Sequence, residues 1–496
     1  MHTCRIVHIM KHSSPCHEKT DHHIIMHSIR TLILTASVIC ISIFANAQTQ
    51  DTSKLLVPIV RDSSNNVSEF LTLKQCIDYA MQHQPSLNRS LINIDIARTT
   101  NAINLSGWLP QVNATGDLIH YIQLSNNGAA VVSSGGTTTG TTTTGTSSAS
   151  SSHTTYSNTF IPELEVSQTI FNPSLLYAAK SAPLYVQQAE EVTDSTKIYL
   201  VASVSKSFYN VLLTLEQINV LKEDTARLGR NVRDTYHQYL GGIVDETDYE
   251  EATITLNNSK AQLKQAVENI TPQYAQLKQL MGYPPEKQFN VNFDTLQMMQ
   301  SIHLDTTEQL QYEKRIEFQQ LNTQKALQNQ LVNYYRFSFL PTVSAFYNYD
   351  LDYENNRLSD LFSTSYPSQL VGLSVNIPIF TGFYRTNNLK KARLQQKLLD
   401  WDAVDLKAQV YSDYTSALAN YKGNLYDLEL LQKNVDLSRR TYFVVTLQYK
   451  QGIVAYLNVI TAESNLISSE ISYLNALFQV LSNKIDLEKA MGDIKY

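Results

Sequence analysis

Four stretches of the chain alternate apolar and polar side chains with a period of two, which puts one set on each face of an extended strand. In FIPELEVSQTIF, from Phe160, Leu164, Val166 and Ile170 point one way and Glu163, Glu165, Ser167 and Thr169 the other. VSAFYNYDLDY sets Val343, Ala345, Tyr347, Tyr349, Leu351 and Tyr353 against Ser344, Asn348, Asp350 and Asp352. LVGLSVNIPIF sets Val371, Leu373, Val375, Ile377 and Ile379 against Ser374, Asn376 and Pro378, and QVNATGDLIHY, from Gln111, is the weakest of the four. The pattern predicts strands over about 111–121, 160–171, 342–353 and 369–380, arranged as two hairpins. Strands of this length with one apolar face suit an outer-membrane barrel, and equally a soluble sheet with one solvated face. A barrel needs about eight strands, so a membrane role requires several chains to contribute.

Between the strands the period changes to that of a helix. Leu175–Leu240 and Arg385–Lys450 are of equal length, poor in glycine and, apart from Pro183, free of proline. At about 1.5 Å per residue each reaches roughly 100 Å, far beyond a globular helix. Leu428, Leu431, Val435, Ser438, Tyr442, Val445 and Tyr449 follow 3,4 spacing, and Val459, Ala462, Leu466, Ser469, Tyr473, Ala476 and Val480 continue it, which is a coiled-coil seam. Further helices are predicted over 72–106, 243–281, 311–338 and 453–491.

Landmarks recur down the chain. QYLGGIV (238–244) returns as QYKQGIV (448–454), Ile170-Phe171 as Ile379-Phe380, Leu280-Met281-Gly282 as Ala490-Met491-Gly492, and Leu109-Pro110 as Leu340-Pro341. The reading is an internal tandem duplication, with a first repeat over 48–282, a connector over 283–310 and a second repeat over 311–496. The first repeat is longer by a loop over 122–159, whose Ser, Thr and Gly run is too small and polar to bury a core. Each glycine heptapeptide lies between a long helix and a returning one, where Gly242 and Gly452 can adopt positive φ and end the first helix.

Composition narrows the function. MHSIRTLILTASVICISIFANAQ, from Met26, has a basic start, an apolar stretch and small residues at Ala45 and Ala47, the layout of a signal peptide over 26–47. Residues 1–25 read as an upstream start artefact, so their histidines, Cys4 and Cys16 are not taken as a metal site. Cleavage leaves Cys76 as the single cysteine, with no intrachain disulfide. The formal charge of −6 and the lack of a basic run argue against nucleic acid. Tyrosines, 29 against 16 phenylalanines, suit a wet boundary. No later stretch offers the ~20 continuous apolar residues of a membrane helix, so any membrane entry is by strands. No nucleophile elbow, zinc spacing or phosphate loop is present, and neither an enzyme nor a cofactor is expected.

With these features in order, the chain resembles the TolC-like outer-membrane efflux protein family. The resemblance rests on LTLKQCIDYAMQHQPSL (71–87), GWLPQV before the first strand, IF before each long helix, SVNIPIFTGFYRTNNLKKA (374–392), the two glycine tips and LMGYP closing the first repeat. It implies a mostly α fold with β: a long coiled-coil α-barrel tunnel, plus four strands given to a trimeric 12-stranded outer-membrane β-barrel. It implies a homotrimer in outer-membrane lipid, with a belt formed around the tunnel by 283–310 and the region before Leu71. A periplasmic adaptor (membrane fusion) protein and an inner-membrane transporter would dock at the tip, for efflux or type I secretion.

The family's gate, carboxylates just past the tip glycines, falls on Asp248 and Glu251, with Asp245, Glu246 and Glu250 nearby. In the second repeat it falls on Asn458 and Thr461, a departure that leaves one hairpin acidic and the other neutral. A helix N-terminus is enriched in acids for electrostatic reasons alone, so that reading stays open beside the gate. Gly242, Ile243, Val244, Gly452, Ile453 and Val454 are candidates for adaptor docking, or for packing that seals the tip. The rival reading of the whole chain is an exported structural coiled-coil or periplasmic adaptor protein that does not span the membrane.

Overall fold

A computed structural model describes residues 69–122, 156–291, 302 and 310–496. The leader readings over 1–25 and 26–47, most of the loop at 122–159 and most of the connector at 283–310 lie outside the described residues. In chain order the elements are β1 (Glu69–Leu71), α1 (Leu73–His83), α2 (Pro85–Leu105), β2 (Gln111–His120), β3 (Asn158–Phe171), α3 (Pro173–Leu240), α4 (Glu246–Met281), β4 (Phe289–Val291), α5 (Ile316–Phe337), β5 (Thr342–Asn355), β6 (Ser365–Asn376), α6 (Tyr384–Lys450) and α7 (Tyr456–Met491).

Local chemistry sets the boundaries. Thr72 caps α1 through a reciprocal pair: its hydroxyl accepts from the Gln75 backbone, and Gln75 Oε1 accepts from the Thr72 backbone at 2.8 Å. The helix expected over 72–106 is two helices. Pro85 stands at the first position of α2 and holds Gln84 in an extended conformation with ψ 121°, which ends α1 one residue earlier. The fourth strand also differs from its expected span of 369–380: β6 runs Ser365–Asn376. Pro378 has no N–H for a ladder, and Gly382 (φ 57°) and Phe383 (φ 63°) turn the chain into α6. The short parallel pairing of β1 with β4, Glu69 opposite Phe289 and Leu71 opposite Val291, carries too little periodicity to be read from sequence.

The two expected hairpins are joined into one antiparallel sheet in the order β2-β3-β5-β6. Directly opposed residues share a face. Val112, Val166, Tyr347 and Val371 form one row, while Thr115, Glu163, Asp350 and Ser368 form a row on the opposite face. The apolar face is bare at the edge strands, where Val112 is 63% exposed and Val371 79% exposed. On the polar face Asn348 Nδ2 donates to Glu163 Oε1 at 2.8 Å.

Below the sheet, α3 and α4 make one helical hairpin and α6 and α7 another, with α3 packed on α7. Their helices are long enough, with 68 residues in α3 and 67 in α6, to span roughly 100 Å. One core joins Val204, Phe208, Val211 and Leu212 of α3 to Leu277 and Met281 of α4, Cys76 and Ala80 of α1, and Phe289 and Val291. A fully buried large apolar side chain of this kind contributes about 1.5–3 kcal/mol. Burial pushes the Cys76 thiol up to about 12, so it packs as a small hydrophobe. A second core gathers Tyr421 and Leu428 with Leu477, Val480, Leu481 and Leu487, and the Tyr421 hydroxyl donates to the Ile302 carbonyl at 2.6 Å. Seam residues Leu428, Val435, Val459, Ala462, Leu466, Ala476 and Val480 are buried, and the seam serines 438 and 469 hydrogen-bond at 3.0 Å. Within α3 an 18-residue window of mean hydropathy 1.3 would suffice by length and composition to cross a membrane, but 56% of it is buried in the protein.

Candidate functional site: the two helical tips

The two glycine heptapeptides fold alike. In the first, the backbone N–H of Gly242 donates to Tyr239 O at 3.0 Å and that of Ile243 to Gln238 O at 2.9 Å. In the second, Gly452 donates to Tyr449 O and Ile453 to Gln448 O, both at 2.9 Å. This double closure requires a left-handed residue, and Gly242 (φ 64°) and Gly452 (φ 72°) supply it. The return helices then restart from extended residues, Asp245 and Ala455. Ile243 is 75% exposed and Ile453 70% exposed, while Val244 and Val454 are half-buried. Each tip therefore presents one bare isoleucine at its end and tucks one valine inward.

The charge differs between them. Asp245, Glu246, Glu250 and Glu251 are exposed around the first tip, with Glu246 and Asp248 in the first turn of α4. Asp245 occupies the N-cap position but its side chain makes no capping hydrogen bond. Asp248 is half-buried and acts on Tyr449 of the other hairpin: burial first, then the Asp248 carboxylate, raise the Tyr449 phenol above its ordinary value. Asn458 and Thr461 are exposed, and the Thr461 hydroxyl donates to its own helix at Leu457 O, 2.9 Å away. Of the sequence-named gate residues, then, Asp245, Glu251, Asn458 and Thr461 face solvent within one chain, and Asp248 is half-buried, near enough to the second hairpin for its charge to act on Tyr449.

Aromatic groups fasten the tips to one another. The Tyr449 hydroxyl donates to Gln238 Oε1 at 2.6 Å, bridging the hairpins, and its ring lies 5.3 Å from that of Tyr456. Tyr456 is buried with Ala252 and Val459, and burial pushes its phenol up to about 12.

Sequence reasoning missed a buried ionic cluster further up the same seam. Arg227 Nε donates to Glu463 Oε1 at 2.7 Å and Arg227 Nη2 to Asp224 Oδ1 at 2.8 Å. Asp224 is 1% exposed and Glu463 0%. The available signal was that Glu463 directly follows the seam residue Ala462, on the flank of the heptad where a facing helix covers it.

The open sheet with an uncovered apolar face, set on two long helical hairpins with glycine tips, is matched by known proteins. A sequence model described as "Outer membrane efflux protein" matches residues 76–283 and 309–493. The chain belongs to the outer membrane efflux protein family. It is 20% identical to the outer membrane protein TolC of Vibrio cholerae over 338 residues, 67% of this chain and 76% of the relative. It is 22% identical to TolC of Escherichia coli, across 68% of this chain and 70% of that one. Among solved structures, CusC superposes with a TM-score of 0.70 at 18% identity, covering 87% of this chain and 95% of the other. The Campylobacter jejuni outer membrane channel CmeC superposes at 0.68 and 17% identity, covering 85% of both. The fold is that of these channels, and the protein is an outer-membrane member of an efflux channel family, a class of transporters rather than enzymes.

Proposed function

We propose that three copies of the chain close their sheets into one 12-stranded outer-membrane barrel and their helical hairpins into a continuous periplasmic tunnel, the exit duct of a tripartite efflux or secretion system. The observation that carries this is the sheet. Among the described residues its outer strands β2 and β6 each lack a partner on one side, and its apolar face is uncovered. Unpaired edges and bare valines are costly in water; edge-to-edge closure with neighbouring copies and contact with lipid remove both costs. Strand length agrees: 10 to 14 residues at about 3.3 Å, tilted about 40°, rise through roughly 25–35 Å of membrane.

In that assembly Asp117, Glu163, Glu165, Asp350 and Asp352, on the face opposite the valines, line the barrel interior. At the other end Glu251 and Asp248 form a threefold acidic ring, with Asn458 and Thr461 as its neutral counterparts, and the ring favours cations over anions. The exposed Ile243 and Ile453 beside their glycines receive a periplasmic adaptor coupled to an inner-membrane transporter. The assembly is tested by fractionation and gel mobility. The proposal expects detergent-dependent extraction from the outer membrane and a trimer that resists SDS until heated. A monomer released without detergent would overturn it and favour a structural coiled-coil or adaptor role.

A further inference from the structure

The hairpins are joined at about fifteen residues above the first tip, or roughly 22 Å along α3, by a cluster contributed by all four long helices. From α3 come Asp224, Thr225, Arg227 and Asn231; from α4, Ser259; from α6, Tyr442; from α7, Glu463. Every carboxylate oxygen has a hydrogen-bonding neighbour, and of these the Ser259 hydroxyl is the one that can accept a proton's hydrogen bond as well as donate. Besides the two Arg227 bonds, Ser259 Oγ donates to Asp224 Oδ2 at 2.6 Å and Asn231 Nδ2 to Glu463 Oε2 at 3.2 Å. The Tyr442 ring stands 5.2 Å from the guanidinium. One guanidinium thus serves two buried carboxylates, and with both ionised the cluster carries a net negative charge away from water.

We propose that this cluster holds one exchangeable proton, and that the proton ties the two hairpins together, so that their contact loosens when it is lost. Burial acts first on both carboxyls and holds each above the ordinary carboxylate range, outweighing the opposing pull of Arg227 and of the Ser259 and Asn231 donors. Because they share Arg227 they titrate as a pair. A cleft of about 540 Å³ between α3 and α6 reaches Arg227 and Tyr442, giving the cluster a route to solvent. Glu223, Arg439, Lys450 and Glu470 line the same cleft; Glu470 repels Asp224 and is itself bonded by Arg439 at 2.9 Å. The facing phenols of Tyr442 and Tyr456 are raised by burial and keep their protons throughout the carboxylate range.

The sign follows from linkage. Packed hairpins hold a proton that separated, solvated hairpins release at an ordinary carboxylate pKa of about 4. The stabilisation is full below that ordinary value, falls as pH rises toward the raised value, and is gone above it. In the window between, opening of the contact rises by at most tenfold per pH unit, and above it opening is flat.

The test is amide hydrogen exchange of the intact protein in detergent, corrected for intrinsic rates, followed at residues 224–235 and 459–470 from about pH 4 to 8. Opening should rise with pH in the wild type and stay flat in Asp224→Asn, whose neutral amide takes the place of the protonated acid and can donate to Ser259 Oγ. Glu463→Gln provides the same comparison if the first variant does not assemble. A flat wild-type profile, or a variant profile that climbs as the wild type does, overturns the proposal. Its consequence for passage through the tip rests on the channel reading. Hairpins that loosen with pH in a protein that conducts nothing would refute that reading and leave the proton linkage standing; a conducting protein with pH-independent hairpins would do the reverse.

Discussion

Replacing Arg227 with Met removes the guanidinium that two buried carboxylates share while keeping most of the side-chain volume. Asp224 and Glu463 are 1% and 0% exposed, and with the guanidinium gone Ser259 and Asn231 are, among the described residues, the donors left to serve one oxygen of each. Breaking a buried pair from one side costs about 3–5 kcal/mol, because it strands the remaining charge. Spread over the contact between α3 and α7, that raises hairpin opening roughly 10²- to 10³·⁵-fold at neutral pH. Acid should undo part of the damage, since protonating both carboxyls removes the stranded charge. Adding Asp224→Asn and Glu463→Gln should undo more of it than either alone. Hydrogen exchange at residues 224–235 and 459–470, measured at neutral pH and near pH 4.5, reads both effects. A cost below about 0.5 kcal/mol, the scale of an ordinary surface substitution, or a cost that does not change with pH, would show that Arg227 does not hold two buried charges in place.

Three further outcomes are expected. Tyr449→Phe deletes the 2.6 Å bond to Gln238 and should weaken the tip contact by about 1 kcal/mol, roughly fivefold in opening, read from amide exchange around residues 238 and 449. Gly242→Ala and Gly452→Ala meet nothing within 4 Å, so each should lower stability only through its left-handed backbone, by roughly 1–2 kcal/mol and nearly equally in a thermal melt; a several-fold difference between them would show that the tips are not alike. Glu251→Gln should reduce the cation preference of the reversal potential and Asn458→Asp should increase it, whereas unchanged potentials would remove both residues from the conducting path.

How much of this was legible in sequence depended on the range of the interactions. Strand alternation such as Leu164, Val166 and Ile170 is written locally, because a two-residue period is a property of neighbours. The seam in α6 and α7 is legible for the same reason. The pairing of β3 with β5, which unites the two hairpins, joins Val166 to Tyr347 and leaves no local mark. The end of β6 departs from the expected span because the apolar rhythm continues through Ile377 and Ile379 past Asn376, while Pro378 withdraws the backbone donor that a ladder needs. At the tips, the repeated glycine heptapeptide announced the turn, but the influence of Asp248 on Tyr449 depends on how the hairpins pack. Asp224 and Arg227 look like an ordinary i,i+3 surface pair until Glu463, 236 positions later, covers them.

If several copies of the chain together enclose a transmembrane pore, single-channel recording of the detergent-purified protein in a planar lipid bilayer will detect it. Discrete current steps with a cation-selective reversal potential are expected, with more frequent opening in Arg227→Met, whose hairpins are loosened. Absence of steps from the purified protein, in the wild type and in that variant at every pH from about 5 to 8, would rule out the pore.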